Sequence, residues 1–211
     1  MLEDLAYTGR HVVITGGASG VGAVLVARVR ELGAERITVL DRREPTGADA
    51  HLEVDLTDPV AIDGALARIE GPVDVLFNNA GVAATLPPPV VMAVNVLAPQ
   101  RIMRSLLDRM PPGSAIVNTA STAGGGYAQH LGPITELCEI EEWDEAQAWV
   151  AAHPDLTADV YAFSKECVQA LTVLRARTTM ASRVRLNAVC PGVIETPLLT
   201  DFKATMSEAL L

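Results

Sequence analysis

Cysteine is scarce in this sequence. Cys138, Cys167 and Cys190 are spread over 211 residues without C-x-x-C spacing, and their number is odd. A set of this kind does not predict a metal knot or a disulfide framework, so we expect no metal site. The thiols are predicted to be reduced, as in a cytoplasmic protein.

Positive charge is also in short supply. The chain has 16 Lys+Arg against 26 Asp+Glu, for a net charge of −10. A surface this acidic repels phosphate backbones and anionic headgroups, which argues against nucleic acid and membranes as partners. The acidic start (M-L-E-D-L) does not resemble a signal peptide, and no uncharged stretch is long and apolar enough to span a bilayer. We expect a cytoplasmic protein.

The negative charge is concentrated in one window. No Lys or Arg occurs between Arg109 and Lys165, and this window contains the acidic residues Glu136, Glu139, Glu141, Glu142, Asp144, Glu145, Asp155 and Asp159. These eight carboxylates account for −8 of the net −10. The acidity therefore belongs to one segment of the chain.

Short apolar runs alternate with segments of helical periodicity. The runs occupy residues 11–15, 36–40, 51–54, 73–77, 114–119 and 184–189, and helices are predicted over 21–32, 58–70, 90–110 and 160–180. Pro99 should bend or interrupt the third helix. The pattern predicts an α/β fold with a Rossmann-like, doubly wound parallel sheet and helices on both faces. We expect one domain over residues 1–211, with ligands at the carboxyl ends of the strands.

A glycine-rich turn, T-G-G-A-S-G-V-G, joins the first strand to the first helix. Such a turn lets a pyrophosphate approach the backbone at a helix N-terminus, although a purely structural turn would look similar. Asp41 ends the second strand, 19 residues after Gly22, where a carboxylate can bind ribose hydroxyls and repel a 2′-phosphate. We predict dinucleotide binding. The candidate residues of this region are Gly16, Ser19, Gly20, Val21, Gly22 and Asp41.

The choice between NAD and NADP is less direct. Arg42 and Arg43 follow Asp41, and an arginine there could pair with a 2′-phosphate or could be a solvated surface charge. Because Asp41 precedes them, we favour NAD, with NADP as the less favoured alternative.

A second group of motifs has a recognisable order. It comprises Asn78-Asn79-Ala80-Gly81 after the fourth strand, Asn95, Ser121 after the fifth strand, Tyr161-Ala-Phe-Ser-Lys165 on a helix, and Pro191-Gly192 after the sixth strand. Over residues 15–197 the chain resembles the short-chain dehydrogenase/reductase family. Singly, Tyr161 and Lys165 could be a surface pair, Ser121 a strand-end cap and Asn95 a helix residue bonded to a loop. Their joint occurrence favours catalysis.

The resemblance implies a role for each of these residues. Tyr161 would be the general acid/base on the substrate oxygen, with its pKa lowered by Lys165 and by the charge of the nicotinamide. Ser121 would hydrogen-bond the same oxygen, Lys165 would hold the nicotinamide ribose, and Asn95 would support a water. Further cofactor contacts are implied for Asp55, Leu56, Asn79, Ala80, Gly81, Tyr161, Lys165, Pro191, Gly192, Val193 and Thr196.

The acidic window is also an insertion relative to the family. Thirty-nine residues separate Ser121 from Tyr161, and we assign residues 124–158 to a helical insertion before the catalytic helix, with one helix over 141–152. The insertion and the motif Y-A-F-S-K-E-C resemble the branch of bacterial 3α-hydroxysteroid dehydrogenase/carbonyl reductases and coniferyl-alcohol dehydrogenases. Trp143 and Trp149 favour a pocket wall or subunit contact over a solvated excursion. His130 and His153 are interpreted as polar loop residues.

The family normally continues well beyond Pro197, whereas this sequence ends 14 residues later. We expect either an incomplete C-terminus or an uncovered sheet edge. The favoured function is an NAD(H)-dependent oxidoreductase of secondary or aromatic alcohols and their carbonyl compounds, acting as a homodimer or homotetramer. A non-catalytic dinucleotide-binding regulator, and an enzyme that uses NAD for epimerisation or dehydration, are the alternatives.

Overall fold

A single parallel sheet forms the centre of the molecule. The computed structural model describes residues 6–197 and 199–200. Its strands are β1 (His11–Thr15), β2 (Arg36–Asp41), β3 (Ala50–Glu53), β4 (Val75–Asn78), β5 (Ala115–Thr119) and β6 (Arg185–Val189). They pair in the order β3-β2-β1-β4-β5-β6, and every pairing is parallel. The predicted doubly wound, Rossmann-like sheet is confirmed, with its switch point between β1 and β4.

Within the described residues, seven α-helices connect and cover these strands. They are α1 (Gly20–Glu31), α2 (Pro59–Ala67), α3 (Pro88–Met92), α4 (Ala98–Leu107), α5 (Leu131–Glu139), α6 (Trp143–Ala152) and α7 (Val160–Ala181). Two short 3-10 turns, Thr122–Gly124 and Tyr127–His130, follow β5. The α2 helix begins where the Asp58-Pro59 signal predicted, because the Asp58 carboxylate accepts the N–H groups of Val60 and Ala61.

The two faces of the sheet bury separate cores. Val12 and Ile14 of β1 pack with α1 on one face, whereas Val13, between them, packs with α2, α4 and α7 on the other. This alternation follows from the two-residue period of a strand. On β6, the edge strand, Arg185, Asn187 and Val189 are exposed.

The helix predicted over residues 90–110 is interrupted as Pro99 suggested. A π-helical turn, Ala93–Leu97, separates α3 from α4, and Pro99 lies in the first turn of α4. Proline has no N–H to donate to the carbonyl of Asn95, four residues earlier, and a π turn accommodates that loss. Asn95 is consequently at the centre of the turn.

One stretch, Pro88–Leu107, is long and apolar enough to cross a membrane by length and composition alone. It is 72% buried inside the fold, where it packs beneath α6 and beside α2 and α7. Its apolar character is accounted for by these contacts, as in the core helix of a globular domain.

The segment between β5 and α7 contains two helices where the sequence pattern predicted one. The predicted helix is α6, and the additional helix is α5, whose sequence L-G-P-I-T-E-L-C-E resembles a loop because of its glycine and proline. Both fall in the first turn, where proline is tolerated because its missing N–H has no partner there. Ile134, Leu137 and Val150 are buried in the main core, so the helices are packed parts of the domain.

The close approach of the backbone at Gly22 predicts that alanine substitutions at Gly22 and at Gly64 have opposite effects on stability. A Cβ on Gly22 would lie 1.8 Å from the Gly16 carbonyl oxygen, whereas a Cβ on Gly64 in α2 would meet nothing within 4 Å. We expect Gly22→Ala to lower the free energy of unfolding by about 1–3 kcal/mol through overpacking, and Gly64→Ala to raise it by about 0.5–1 kcal/mol. Urea unfolding of both variants measures this, and equal effects would contradict the close approach at Gly22.

Candidate active site

The carboxyl ends of the strands bring the predicted site residues to one edge of the sheet. Thr15, Asp41, Asn78 and Thr119 are the last residues of β1, β2, β4 and β5. Because the pairings are all parallel, these ends are neighbours although they are up to 104 residues apart in the chain. The crevice at the switch point lies between the glycine turn after β1 and the loop after β4.

The glycine turn has the backbone geometry that a pyrophosphate requires. Gly16 and Gly20 have positive φ values of 71° and 53°, which L side chains rarely adopt. Ser19 precedes α1 without making a capping hydrogen bond to the first turn, so the N–H groups there remain available to an anion. The turn therefore fits the diphosphate of a dinucleotide.

Asn79 and Ala80 brace the glycine turn from the loop after β4. Their backbone N–H groups both donate to Thr15 Oγ1 at 3.0 Å. Asn79 Nδ2 donates to the carbonyl oxygens of Thr15 at 3.3 Å and Gly16 at 3.1 Å. These bonds tie β1 to β4 at the switch point. Thr15, which anchors all of this, was not among the predicted site residues, although it ends the first strand.

Asp41 and Arg43 meet at the rim of the glycine turn. The Asp41 carboxylate accepts the N–H of Ala18 at 2.9 Å and the N–H of Arg43 at 3.0 Å. Arg43 in turn donates from its guanidinium to Ser19 Oγ at 2.9 Å. A carboxylate and a guanidinium thus flank the same position, and Arg43 is not a free surface charge.

Of the predicted pair Asp55 and Leu56, Asp55 lies at the surface and Leu56 lies in the core. Asp55 accepts hydrogen bonds from the backbone N–H and the hydroxyl of Thr57, at 2.9 and 2.8 Å. The backbone bond from Thr57 is the main cause that lowers the pKa of Asp55. Leu56 is buried in the main core, so the Asp55 side chain is better placed than that of Leu56 to meet a ligand.

Tyr161 and Lys165 lie one turn apart on α7, as their spacing predicted. Lys165 Nζ is 5.7 Å from the centroid of the Tyr161 ring and donates to the Thr119 carbonyl at 2.9 Å. The Tyr161 hydroxyl is hydrogen-bonded to the Ser121 side chain. Ser121, Tyr161 and Lys165 are therefore assembled into one group beside the ends of β4 and β5.

Burial dominates the acid–base properties of this group. It lowers the pKa of Lys165 from 10.5 to about 8, because an ammonium ion is less stable away from water. Burial also raises the pKa of Tyr161, and the hydrogen bond with Ser121 offsets this only in part. The lowered Tyr161 pKa that the family resemblance implied depends on the charge of a bound nicotinamide as well as on Lys165, and without the nicotinamide burial prevails. The reason is the desolvation of the phenolate, while the Lys165 ammonium is directed to the Thr119 carbonyl.

Asn95 is buried, and both the oxygen and the nitrogen of its amide are hydrogen-bonded. Its Oδ1 accepts the Val82 N–H at 2.9 Å, and its Nδ2 donates to the Val82 carbonyl at 3.1 Å and to Ser164 Oγ at 3.0 Å. The Ser164 hydroxyl donates to the Tyr161 carbonyl at 2.8 Å. Asn95 is therefore linked to the backbone of Tyr161 through Ser164, a residue that the sequence did not single out. The feature that could have identified Ser164 in the sequence is its small polar side chain on the buried face of α7.

Gly81 lies between Asn95 and Lys165. A Cβ on Gly81 would be 3.4 Å from Asn95 Oδ1 and 3.5 Å from Lys165 Nζ. Asn95 Oδ1 and the Lys165 ammonium therefore both lie close to the backbone at Gly81.

The segment after β6 returns to the glycine turn. The Thr122 N–H donates to the Pro191 carbonyl at 3.0 Å, and Thr196 lies 3.5 Å from the position of a Cβ on Gly20. Gly192 is exposed, and the Val193 side chain is 80% exposed. Thr196, one of the predicted residues, therefore lies beside the glycine turn at Gly20.

His130 and His153, the two histidines between β5 and α7, have specific partners. His130 Nδ1 is 2.6 Å from Glu166 Oε2 on α7, and Glu166 is buried. His153 Nδ1 is 2.7 Å from the Trp149 carbonyl oxygen, and its ring stacks on Trp149 at a centroid distance of 3.9 Å. Within residues 6–197 and 199–200, no cluster of three or more His, Cys, Asp or Glu side chains could hold a metal ion.

Comparison with known proteins identifies the family. The profile of the family described as short chain dehydrogenase matches residues 10–133. Coniferyl-alcohol dehydrogenase of Pseudomonas sp. strain HR199 is 33% identical over 206 residues, which cover 97% of this chain and 80% of that protein. This chain belongs to the short-chain dehydrogenase family. L-xylulose reductase of Bos taurus is 31% identical, with 92% of this chain and 76% of that protein covered.

Solved structures of the short-chain dehydrogenase family agree with the fold. The 3-alpha-hydroxysteroid dehydrogenase of Pseudomonas sp. B-0831, solved with NADH, superposes with a TM-score of 0.78 at 31% identity, covering 92% of this chain and 76% of the other. A short chain dehydrogenase of Burkholderia cenocepacia J2315, solved with NADP, has a TM-score of 0.67 at 22% identity, with 93% and 77% covered. This chain is accordingly an oxidoreductase of that family, which uses a nicotinamide dinucleotide with a small-molecule substrate.

The buried ammonium of Lys165 predicts an unusual pH dependence of stability. Its pKa of about 8 in the folded chain lies below the ordinary 10.5, so between these values the unfolded chain holds a proton that the folded chain has released. Stability therefore rises with pH across this window. We expect Lys165→Met to be more stable than the wild type at pH 7, and this advantage to shrink by about 2 kcal/mol by pH 9.5.

Urea unfolding of the cofactor-free protein at both pH values measures this effect. Arg28→Met is the control, because Arg28 is an exposed base that pairs with Glu31 on the surface of α1, and it should leave the pH dependence unchanged. Equal pH dependence in the wild type and in Lys165→Met would contradict the burial argument.

Proposed function

We propose that this protein is an NAD(H)-dependent oxidoreductase that interconverts a secondary or aromatic alcohol and its ketone or aldehyde, with Tyr161 as the general acid/base. The observation that carries the proposal is the grouping of Tyr161 and Lys165 one helical turn apart on α7, with Lys165 Nζ bonded to the Thr119 carbonyl at the end of β5. Ser121 lies two residues beyond Thr119, and its side chain influences the pKa of Tyr161 as a hydrogen-bonding partner. This group lies at the same sheet edge as the glycine turn, which supports a proton donor next to a cofactor site.

Tyr161 and Ser121 would share the substrate oxygen. In the oxidative direction Tyr161 takes the proton of the substrate hydroxyl, and in the reductive direction it returns that proton. The Ser121 hydroxyl donates a hydrogen bond to the same oxygen and stabilises the negative charge that develops there. When bound, the nicotinamide supplies or accepts the hydride.

Lys165 supports the phenolate of Tyr161. Its ammonium is buried and close to the ring, so its positive charge favours ionisation of the phenol most when Lys165 is protonated, below its pKa of about 8. Lys165 would also hold the nicotinamide ribose, and Asn95 would support a water on the route from Lys165 to solvent. Their convergence on Gly81 supports this arrangement.

The cofactor would extend along the edge of the sheet. Its diphosphate would lie on the turn formed by Gly16, Ser19, Gly20, Val21 and Gly22, and its adenosine end near Asp41, Asp55, Leu56, Asn79, Ala80 and Gly81. The nicotinamide end would meet Tyr161, Lys165, Pro191, Gly192, Val193 and Thr196. The open backbone of the glycine turn supports this orientation.

NAD rather than NADP is proposed because of Asp41. Its carboxylate accepts N–H groups on both of its oxygens, which keeps it at the rim of the glycine turn, where it would repel a 2′-phosphate. Arg43 is the counterargument. Its guanidinium is bonded to Ser19 and would have to release that bond to pair with a phosphate.

Three relatives are named for ring-bearing alcohols, whereas L-xylulose reductase is named for a sugar. The three are coniferyl-alcohol dehydrogenase, 3-alpha-hydroxysteroid dehydrogenase and fluoren-9-ol dehydrogenase of Terrabacter sp., which is 29% identical over 87% of this chain and 56% of that protein. Each name denotes an aromatic or polycyclic alcohol. A panel of cinnamyl, benzylic and polycyclic alcohols is therefore the first choice for activity measurements.

The remaining proposals concern the whole molecule. Residues 1–211 form one dinucleotide-binding domain, in which residues 124–158 are an acidic insertion that walls the substrate pocket or contacts another subunit. The protein acts in the cytoplasm as a homodimer or homotetramer. Free thiols at Cys138, Cys167 and Cys190 support a reducing compartment.

Tyr161→Phe tests the proposed role of the phenol. Turnover should fall by about 100-fold or more, because the phenol is the proposed proton donor, while NADH affinity should change by less than about twofold. Absorbance at 340 nm measures turnover over the alcohol panel, and fluorescence titration measures NADH binding. Tyr7→Phe, far from the site, is the matched control. Retained activity in Tyr161→Phe would refute the role, and NADH binding without turnover in the wild type would favour a regulator.

Asp41→Asn tests the choice of cofactor, because it removes the charge and keeps the size and one acceptor oxygen. We expect wild-type protein to bind NADH more tightly than NADPH, and the variant to gain about tenfold or more in relative affinity for NADPH. Fluorescence titration with both cofactors measures the ratio. Arg43→Ala should leave NADH binding nearly unchanged. A large loss of NADPH affinity in Arg43→Ala, with no gain in Asp41→Asn, would instead favour NADP.

A further inference from the structure

The loop that carries Ser121 is fastened to α7 at both of its ends. We call residues 121–130 the serine loop. At its beginning, Gln169 Nε2 donates to the Ser121 carbonyl at 2.8 Å. At its end, His130 Nδ1 is 2.6 Å from Glu166 Oε2. Both partners belong to the helix that also carries Tyr161 and Lys165.

The serine loop lies directly on the backbone of α7 between these anchors. A Cβ on Gly124 would be 2.5 Å from the Lys165 carbonyl and 2.8 Å from Gln169 Nε2. Gly124 is buried, so its lack of a side chain is what allows the contact. The loop and the helix therefore touch at the level of Lys165.

Gln169 continues the stripe formed by the two predicted catalytic side chains of α7. Tyr161, Lys165 and Gln169 are spaced by four residues, so they lie one above another on one face of the helix. Tyr161 reaches the Ser121 side chain, Lys165 reaches the Thr119 carbonyl, and Gln169 reaches the Ser121 carbonyl. One helix face thus holds the end of β5 and the second residue after it, Ser121, at successive points.

The Ser121 carbonyl oxygen is hydrogen-bonded even without the bond from Gln169. That carbonyl already accepts the Gly124 N–H at 3.1 Å, so it would remain hydrogen-bonded without Gln169. A second donor restricts the direction of the carbonyl, and with it the orientation of the whole Ser121 residue.

We propose that Gln169 is a positioning residue: by holding the Ser121 carbonyl against α7, it keeps the Ser121 hydroxyl at the Tyr161 phenol. The inference rests on the proposed function, in which Ser121 and Tyr161 share the substrate oxygen. Gln169 touches neither substrate nor cofactor in this role and acts through Ser121 alone. A displacement of about 1 Å at a reacting group costs on the order of 100-fold in rate, so such a contact matters.

Gln169→Met tests the proposal, because methionine keeps the length of the side chain and removes the donor. We expect kcat to fall by about 10- to 100-fold, with NADH affinity within about twofold of the wild type. Gln100→Met is the matched control. Gln100 Nε2 donates to the Cys138 carbonyl at the same distance of 2.8 Å, but between α4 and α5, away from Ser121. It should leave kcat within about twofold, and an equal loss in both variants would overturn the proposal.

The Ser121→Ala background separates positioning from a general structural effect. If Gln169 acts through the Ser121 hydroxyl, Gln169→Met should reduce the residual turnover of Ser121→Ala by less than about threefold. A full 10- to 100-fold further loss would show that Gln169 acts by another route and would overturn the proposal. If Gln169→Met does not fold, Gln169→Glu takes its place, since it is isosteric and also lacks the donor.

Amide hydrogen exchange tests the same contact without depending on turnover. In Gln169→Met, peptides over residues 121–126 should exchange about tenfold faster than in the wild type and in Gln100→Met. Unchanged exchange there would overturn the proposal whatever the activity. A wild type without turnover would contradict the proposed function instead, while the exchange comparison would still decide whether Gln169 holds the loop.

Discussion

The parallel pairing of the six strands in the described part of the chain is the constraint on which the rest of this structure depends. Because every strand runs in the same direction, the residues that follow each strand meet at one edge, however far apart they are in the chain. The register Thr15↔Leu40 and Ile14↔Phe77 sets the glycine turn between the ends of β2 and β4. The bonds from Asn79 and Ala80 to Thr15 then join the two halves of the sheet at the point where a cofactor would bind.

A series of hydrogen bonds between polar side chains links the sheet to α7. Asn78 Nδ2 donates to Asn118 Oδ1 at 2.9 Å, and Asn118 Nδ2 donates to Thr172 Oγ1 at 3.0 Å. This series of hydrogen bonds runs from β4 through β5 to α7, the helix that carries the proposed catalytic pair. Because each of these bonds joins one element to the next, the series restricts how α7 can rotate above the sheet. The same arrangement buries Lys165 and Tyr161, and this burial costs free energy because their charged forms lose contact with water.

The segment between β5 and α7 shows both the reach and the limit of reasoning from the sequence. Its acidity and its second helix, α6, were predictable, because charge counts and helical periodicity are local properties. The first helix, α5, was not, because Gly132 and Pro133 look like loop residues until their place in a first turn is known. The partners of His130 and Gln169 were equally hidden, since Glu166 and the Ser121 carbonyl are 36 and 48 residues away.

The sequence by itself determined the fold class, the parallel sheet through its alternating pattern, the glycine turn with Asp41, and the spacing of Tyr161 and Lys165. These features are encoded in short segments, and each segment needs only its own residues to be recognised. Tertiary structure alone decided that burial raises the pKa of Tyr161, that Lys165 is bonded to Thr119, and that Gln169 is bonded to Ser121. These outcomes depend on desolvation and on hydrogen bonds between distant segments, and both exist only once the helices have packed on the sheet.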